Sequence, residues 1–381
     1  MFENLALTTL QELWWVLASV VGSLFLFMTF VQGGQTLLWQ LGKNETEKSL
    51  ILNSIGRKWE LTFTTLVLFG GALFAAFPKF YATSFGGAYW VWIAILFTFI
   101  VQAVSFEFRK KPDNLFGPRG YEAFLFINGA LGILLIGTAV GTFFTGANFV
   151  LNEYNLVQWT NPLRGLEAAG NMFNLSLGLF LVFNSRVLGA LYLLNNIDFS
   201  GLDDFRKRTV DAVLNNFLAA LPFLLVVLIG LLTMKGFDVD PASGQVQMIG
   251  FKYLKNLVAM PYLLAMLLVG LGLVIYAVYS AKFRENYRGI WPGGLGTVMV
   301  GLTVFFTAGF HHTPFYPSLA DAQSSLTIYN ASSSHYTLTA MTYVALLIPG
   351  VLAYIAYVWR QMDRKKLQAS EVEGPKAQES Y

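Results

Sequence analysis

The chain has 381 residues, of which 55% are hydrophobic and 12% charged, and its formal net charge is +3 at pH 7. Soluble domains carry roughly 25% charged residues, so this composition indicates an integral membrane protein. The Lys and Arg residues lie in short loops rather than in a basic stripe with stacking aromatics, which argues against a nucleic-acid partner, and the absence of Cys excludes disulfides, iron–sulfur clusters and thiolate metal sites.

Nine apolar segments approach or exceed the roughly 20 residues with which a helix crosses a bilayer. We interpret them as helices because backbone groups in hydrocarbon must be satisfied within the segment, and because the alternating pattern of barrel strands is absent. The sequence therefore predicts an all-α polytopic membrane protein, with a transmembrane domain over residues 1–367 and a polar, disordered cytoplasmic tail over residues 368–381. The predicted spans are residues 13–38, 61–82, 88–106, 121–145, 168–183, 212–234, 257–281, 291–310 and 337–359.

The basic residues predict the orientation of the chain. If the nine spans alternate in direction, all but five of the 25 Lys and Arg residues fall on one face, and basic residues are retained on the cytoplasmic side. The N-terminus is therefore predicted outside and the C-terminus in the cytoplasm. No basic region precedes the first span, so we expect that span to remain in the mature protein.

Four residues mark the predicted cytoplasmic ends of the second and third spans. Trp59 and Glu60 precede the second span, and Glu107 and Arg109 close the third. Because the loop between these spans is predicted to be external, the four residues should lie at the same depth. One interpretation is structural: an acid near a helix N-terminus and a base near a C-terminus are each stabilised by the helix dipole, by about 0.3–1 kcal/mol.

The histidines bear on whether this chain binds haem. Haem iron takes His, Met, Cys or Tyr ligands, and all three histidines, His311, His312 and His335, lie in one predicted external loop region. A haem on His312 is one hypothesis. The other, which we prefer, is that this chain holds no metal and that the prosthetic groups of any redox complex to which it belongs are bound by another chain.

Several blocks of sequence resemble subunit 2 of the cytochrome bd quinol oxidase family, in the family's order and with comparable spacing. They flank the membrane region, whereas the fourth to eighth spans match in hydropathy more than in residues. The matching blocks are NSIGRKWE at 53–60, GGALFAAFP at 70–78 followed by Tyr81-Ala82, FEFR at 106–109, SLTIYNASS at 325–333, and Leu338-Thr339 with Met341-Thr342.

The resemblance implies a fold of nine transmembrane helices arranged as two four-helix bundles plus one extra helix. It also implies a larger partner, subunit 1, which binds haem b and haem d, oxidises quinol and reduces oxygen to water with protons drawn from the cytoplasm, in a bacterial inner membrane. In the family, subunit 2 ligates no haem and can hold a quinone or lipid structurally. The resemblance also implies small accessory subunits as further partners.

The chain departs from the family pattern at the inner end of the first span. The family often has acidic residues there, in an Asp-Gly-Phe-Asp-like stretch, and this chain has Thr29 and Gln32 instead. The usual Asp after the tryptophan is Glu60. A proton route through the missing acids would have to be rebuilt from hydroxyls, amides and water, or would have to begin elsewhere.

The functional hypothesis assigns proton delivery to the same cytoplasmic group. Glu60, with Glu107, would collect protons and pass them toward the haems of the partner. Arg109 would hold a carboxylate or a haem propionate through a charge-assisted hydrogen bond, and Trp59 is a second candidate cofactor contact. The alternative hypothesis is that these residues are structural and that the helix dipoles stabilise their charges.

Two other classes of function fit the topology. A multi-span transporter would explain the composition, but ion-coupled transporters commonly place ionisable residues on their pathways. A non-catalytic assembly or lipid-binding membrane protein is the other alternative. The stretches that contain no Asp, Glu, Lys or Arg are residues 62–78, 212–234, 256–281 and 289–320.

Overall fold

The structure is a computed structural model, and it describes residues 2–373. Within that range, nine helical spans are long and apolar enough to cross a membrane, so the predicted all-α polytopic fold class is confirmed. The spans are Leu7–Thr36, Glu45–Ala76, Tyr89–Phe108, Gly117–Thr145, Met172–Asn196, Asp203–Thr233, Pro261–Phe283, Ile290–Gly309 and His335–Met362.

Several spans consist of two helices joined by a turn or a π-helical segment. The π segments are Ala82–Gly86 and Asn128–Gly132, and the second of them joins α8 to α9. The helices are α1 (Leu7–Met28), α2 (Phe30–Thr36), α3 (Leu38–Leu41), α4 (Glu45–Gly56), α5 (Trp59–Ala76), α6 (Pro78–Tyr81), α7 (Tyr89–Phe108), α8 (Gly117–Ile127), α9 (Ile133–Thr145), α10 (Met172–Asn196), α11 (Asp203–Thr233), α12 (Lys252–Ala259), α13 (Pro261–Phe283), α14 (Ile290–Gly309), α15 (His335–Ala345), α16 (Ile348–Met362) and α17 (Ala369–Val372).

Helix α10 is the most buried of the spans and packs against α2, α9 and α11. Helix α1 packs against α5 and α14, α13 pairs with α14, and α7 pairs with α8. These contacts are consistent with the expected pair of four-helix bundles. Gly33 lets α2 approach α10 closely, since a Cβ at that position would lie 1.7 Å from the Ser185 carbonyl oxygen.

The fifth span is longer than predicted. The sequence analysis ended it at residue 183, whereas α10 continues to Asn196. The prediction ended early because Asn184, Ser185 and Arg186 interrupt the apolar run. The helix continues through them because Arg186 forms hydrogen bonds to groups inside the protein.

Two small antiparallel hairpins lie between spans at the end of the molecule opposite α4. Strand β1 (Phe149–Leu151) pairs with β2 (Val157–Trp159), and β3 (Gly236–Val239) pairs with β4 (Val246–Ile249). The long loop before α15 contacts both hairpin regions through the Ala147–Ser318 bridge and the hydrogen bond from Val239 N to His312 O. That loop therefore packs as part of the fold.

The opposite end of the molecule is closed by α3, α4 and the start of the predicted tail. Helix α17 packs against α4, and Val372 is buried there. Residues 196–198 also bond to Leu367 through backbone hydrogen bonds. Residues 374–381, the remainder of the predicted disordered tail, lie outside the described residues, so the disorder of the tail stays a prediction.

Candidate functional site

Three of the predicted site residues, Trp59, Glu60 and Glu107, lie where α5 begins and α7 ends. The rings of Trp59 and Phe106 stack, with centroids 6.0 Å apart and planes 10° apart. Glu60 and Glu107 follow these rings directly in sequence, and both carboxylates are exposed. The two acids therefore lie at the same depth, as the topology of the spans led us to expect.

Arg109 turns away from these acids. Positions 107 and 109 point about 200° apart around a helix, and Arg109 is accordingly buried, with 1% of its surface exposed. Its Nη2 lies 2.7 Å from Glu122 Oε1 and 2.5 Å from Glu45 Oε1, and its Nε donates to Glu122 Oε1 at 3.1 Å. Within residues 2–373, Glu60 and Glu107 are not among its ion-pair partners.

Glu122, on α8, is the centre of a buried ion cluster that we define as Glu45, Lys48, Arg109 and Glu122. Lys48 Nζ lies 2.9 Å from Glu122 Oε2, and the indole of Trp39 donates to the same oxygen at 2.8 Å. Glu122 is 1% exposed, whereas the Glu45 side chain is 64% exposed. The cluster has equal numbers of acids and bases and reaches water through Glu45.

The sequence analysis did not single out Glu122. Its partners come from α4 and α7, and pairing between separate helices is not visible in local hydropathy. One signal was available: Glu122 is an acid near the start of an apolar segment, and an ionisable residue inside a span marks a site by default. Such a residue needs charged partners nearby, because an isolated buried carboxylate is very costly.

A set of buried amides lies deeper in the same bundle. Gln32, Gln35 and Gln102 are at most 1% exposed, and neither polar atom of their side-chain amides has a hydrogen-bond partner within residues 2–373. Asn128 is fully buried, and its Nδ2 lies 3.4 Å from Thr98 Oγ1. The Oδ1 of Asn128 has no partner within residues 2–373. A buried polar group without a partner costs about 1–3 kcal/mol, so three unpaired amides and a half-paired one in the same bundle require an explanation.

The amides follow the helical register of the ion cluster. Gln102 precedes Arg109 by seven residues on α7, Asn128 follows Glu122 by six, and Gln35 precedes Trp39 by four. At 1.5 Å per residue, these spacings place Gln102 and Asn128 about 9–10 Å deeper than Arg109 and Glu122, and Gln35 about 6 Å deeper than Trp39, which donates to Glu122. We call Gln32, Gln35, Gln102 and Asn128 the amide column. It includes Gln32, one of the two positions at which the resemblance led us to expect acids; Thr29, the other, donates to the Leu26 carbonyl at 2.7 Å.

Arg186 is a cation within the fifth span that neutral groups hold in place. Its Nε donates to Asn216 Oδ1 at 2.6 Å, its Nη1 to the Thr36 carbonyl at 3.1 Å and its Nη2 to Gln40 Oε1 at 2.6 Å. These bonds connect α10 to α11 and to the segment after α2. They satisfy the guanidinium without a carboxylate.

The histidines do not line the apolar cavity that α10 forms with its neighbouring helices. That cavity, about 150 Å³, lies between α10, α11, α13 and α14, and its lining contains no His, Met, Cys or Tyr. His335 lies at the start of α15, with Nε2 2.9 Å from the Leu5 carbonyl oxygen. Within residues 2–373 there is no group of three or more His, Cys, Asp or Glu placed to hold a metal ion. The residues at this cavity therefore do not fit an axially ligated haem.

These features define an all-helical membrane protein with charged groups concentrated at one end of its spans. The profile of the cytochrome bd terminal oxidase subunit II family matches residues 10–362. The chain therefore belongs to the cytochrome bd terminal oxidase subunit II family, and the predicted resemblance is confirmed.

Individual proteins agree with this assignment. The chain is 28% identical over 372 residues to the cytochrome bd-I ubiquinol oxidase subunit 2 of Escherichia coli strain K12, covering 93% of this chain and 95% of that protein. It is 28% identical over 366 residues to a probable cytochrome oxidase subunit 2 of Haemophilus influenzae, covering 93% and 94%. A chain of the bd oxidase structure from Geobacillus thermodenitrificans has the same fold, with a TM-score of 0.63 at 12% identity over 93% of this chain and 98% of that one.

Proposed function

We propose that this chain is the subunit of a cytochrome bd-type quinol:oxygen oxidoreductase that ligates no haem, in a bacterial cytoplasmic membrane with its basic end inside. The haem-binding partner subunit would carry the b- and d-type haems and the quinol site. The family match over residues 10–362 carries this proposal. Reduction of one O2 to two waters consumes four electrons, which quinol supplies, and four protons, so the complex needs a route for protons as well as a haem site.

We place the partner subunit on the exposed face of α5 and α7. Leu68, Phe74 and Phe97 on this face are about 60% exposed, at 59%, 60% and 62%. Apolar side chains alone fit lipid as well as protein. Glu60 and Glu107 lie at the end of the same face, and a carboxylate beside hydrocarbon is costly, so a protein surface is the better neighbour for this end.

Glu60 and Glu107 are the groups we assign to proton uptake. Both are exposed at the basic end, and a carboxylate can accept a proton from water and release it again. The amide column does not replace them in this role, because a Gln side chain does not titrate near neutral pH. Its unpaired amides are suited to hydrogen bonding ordered water. The column would therefore hydrate the bundle, and proton exchange would depend on the two acids.

We assign Arg109 and Trp59 supporting roles. Nε and Nη2 of Arg109 contact Glu45 and Glu122, and Nη1 is buried without a hydrogen-bond partner among residues 2–373. Because two of its three nitrogens already hold carboxylates of this chain, we assign Arg109 to these carboxylates rather than to a haem propionate. Trp59 stacks on Phe106 and would keep the ends of α5 and α7 together, which holds Glu60 beside Glu107. Trp59 would act by positioning Glu60 and Glu107, and Arg109 by holding the end of α7 against α4 and α8.

The test is the turnover of the purified complex that carries Glu60→Gln. We expect normal haem content and subunit ratio with oxygen reduction several-fold slower, because the amide keeps the shape of the side chain and loses its exchangeable proton. Glu60→Asp should be largely active. Glu285→Gln is the matched control, since Glu285 is another exposed acid at the same end of the molecule. Full turnover in Glu60→Gln would contradict a role of Glu60 in proton uptake and would leave it a structural role only.

A further inference from the structure

A second polar region lies at the end of the bundle opposite the ion cluster. It is a cavity of about 340 Å³ between the ends of α7, α9 and α10 and the loop that contains β1 and β2, and we call it the distal cavity. Its lining includes four buried polar residues, each at most 7% exposed: Thr138, Thr142, Asn174 and Tyr316. The hydroxyl of Thr138 has no hydrogen-bond partner within the described residues 2–373. A polar cavity of this size can hold several waters, since a water takes about 30 Å³ in the liquid.

The amide column and the distal cavity approach each other along two segments of the chain. In the column, Asn128 Nδ2 lies 3.4 Å from Thr98 Oγ1. On α7, Trp92 lines the distal cavity and precedes Thr98 by about 9 Å of helix. On the fourth span, Asn128 and Thr138 are at most about 15 Å apart along the helix. The hydrocarbon core of a bilayer is about 30 Å thick, so the apolar layer between these two polar regions is much thinner than the surrounding membrane.

Three isoleucines fill this layer: Ile95 on α7, and Ile133 and Ile136 on α9. They are at most 5% exposed and belong to one buried hydrophobic cluster, to which Phe25 on α1 and Leu181 on α10 also belong. We call the three isoleucines the isoleucine seal. Protons cross membrane proteins through titratable groups or hydrogen-bonded water, and an isoleucine side chain has neither a donor nor an acceptor. Hydrophobic constrictions also exclude water.

The packing beside the seal does not provide a wet bypass. A void of about 30 Å³ lies between α1, α5, α7 and α9, and Ile136 is part of its wall. The wall is apolar or aromatic except for the hydroxyl of Ser84, which accepts from the indole of Trp92 at 3.4 Å. Voids with such walls stay dry even where a water would fit. The void therefore does not join the two polar regions.

We propose that the isoleucine seal is a proton barrier that separates the hydrated amide column from the distal cavity. This inference rests on the proposed hydration of the column. The proposed reaction draws its protons from the basic end of the complex. A continuous water chain between the column and the distal cavity would return protons to that end and dissipate the gradient. The seal allows the column to be wet while the subunit stays impermeable to protons.

The experiment measures passive proton flux through the purified complex in liposomes that contain a trapped pH-sensitive dye. A pH step is applied with K+ and valinomycin present and without quinol, so turnover does not contribute. The variant I95T/I133T/I136T adds three hydroxyls to the seal. The variant I95V/I133V/I136V is the matched control, because valine has nearly the shape of threonine and no polar group. We expect the threonine variant to raise the flux about tenfold or more over protein-free liposomes, since water then enters the constriction, and the valine variant to leave it unchanged.

Two outcomes of this measurement would overturn the proposal. One is an unchanged flux in a threonine variant that assembles and reduces oxygen. That result would leave the assignment of Glu60 untouched, because Glu60→Gln is judged by turnover. The other is an equal leak in the two variants, since lost packing rather than added polarity would then explain the flux.

Cysteine accessibility tests the seal even if the threonine variant fails to assemble. The chain has no Cys, so Thr138→Cys and Ile133→Cys each place a single thiol in it. The complex is treated in nanodiscs, where both membrane faces meet a charged methanethiosulfonate, and the mass of this chain reports the modification. We expect Thr138→Cys to react and Ile133→Cys to remain unmodified. Reaction of both variants at similar rates, or of neither, would contradict a dry seal beside a water-filled distal cavity.

Discussion

The guanidinium of Arg109 lies 2.7 Å from the carboxylate of Glu122, and neither side chain is more than 2% exposed. The pair connects α7 to α8, and Lys48 and Glu45 extend it to α4. Because both charges are out of water, removal of either one would leave the other buried without a counter-charge. The pair therefore holds three chain segments in register at the end of the molecule where proton uptake is proposed.

We expect Glu122→Gln to destabilise the protein strongly. The substitution leaves the buried Arg109 guanidinium without a full counter-charge, and breaking a buried pair in this way typically costs about 3–5 kcal/mol. Thermal unfolding of the purified complex in detergent measures the effect. Glu60→Gln removes an exposed acid and should leave the unfolding temperature nearly unchanged. An equal unfolding temperature for Glu122→Gln and the unmodified protein would contradict a structural role for the cluster.

Gly33→Ala should prevent close packing of α2 on α10. The added Cβ would meet the Ser185 carbonyl oxygen at 1.7 Å, and a backbone atom cannot move aside as a flexible side chain can. We expect a loss of at least about 3 kcal/mol or failure to assemble, at the upper end of overpacking effects. The yield of folded complex and its unfolding temperature measure this.

Gly272→Ala is the matched control for that experiment. Gly272 is also in a membrane helix, α13, and a Cβ there meets nothing within 4 Å. Alanine should be neutral or slightly stabilising, since glycine in a helix interior is about 1 kcal/mol less favourable than alanine. Similar losses from both substitutions would show that the α2–α10 contact is not tight.

The histidines should be dispensable for haem binding in the complex. We predict an unchanged reduced-minus-oxidised spectrum for the variant His311→Asn, His312→Asn, His335→Gln. Asparagine is chosen at 311 and 312 because both residues have positive φ, 55° and 57°, a conformation that Asn tolerates. Loss of a b-type band with normal assembly would identify one of the three as a ligand.

His311 should make stability fall on acidification. Burial, followed by the nearby Lys252 ammonium and His312, lowers the pKa of His311, while Asp238 opposes the shift. The unfolded chain then takes up a proton as the pH falls below about 6.5, before the folded chain does, and stability decreases until the folded pKa is passed.

The unfolding temperature at pH 7.5 and pH 5.5 measures this dependence. His311→Asn should show a smaller loss between the two values than the unmodified protein. The difference should be modest, because His311 is largely exposed and solvent screens its interactions. An identical pH dependence in the two proteins would exclude this contribution of His311.

Local composition was sufficient to predict the spans and the family. Hydropathy depends on consecutive residues, so the nine spans and their basic connections can be read along the chain, and the blocks at 53–60 and 106–109 indicate the family. The length of the fifth span could not be predicted in this way, because Arg186 is tolerated only through Asn216, Thr36 and Gln40, which other segments supply.

The sequence by itself determined that this is a nine-span membrane protein with acids and bases at one end, since those properties depend on which residues follow one another. The tertiary structure decided which charges meet. It separated Arg109 from Glu107, two residues away, and paired it with Glu122 and Glu45, 13 and 64 residues away. The helical rotation of about 200° between positions 107 and 109 and the packing of α4, α7 and α8 select these partners, and neither can be read from hydropathy.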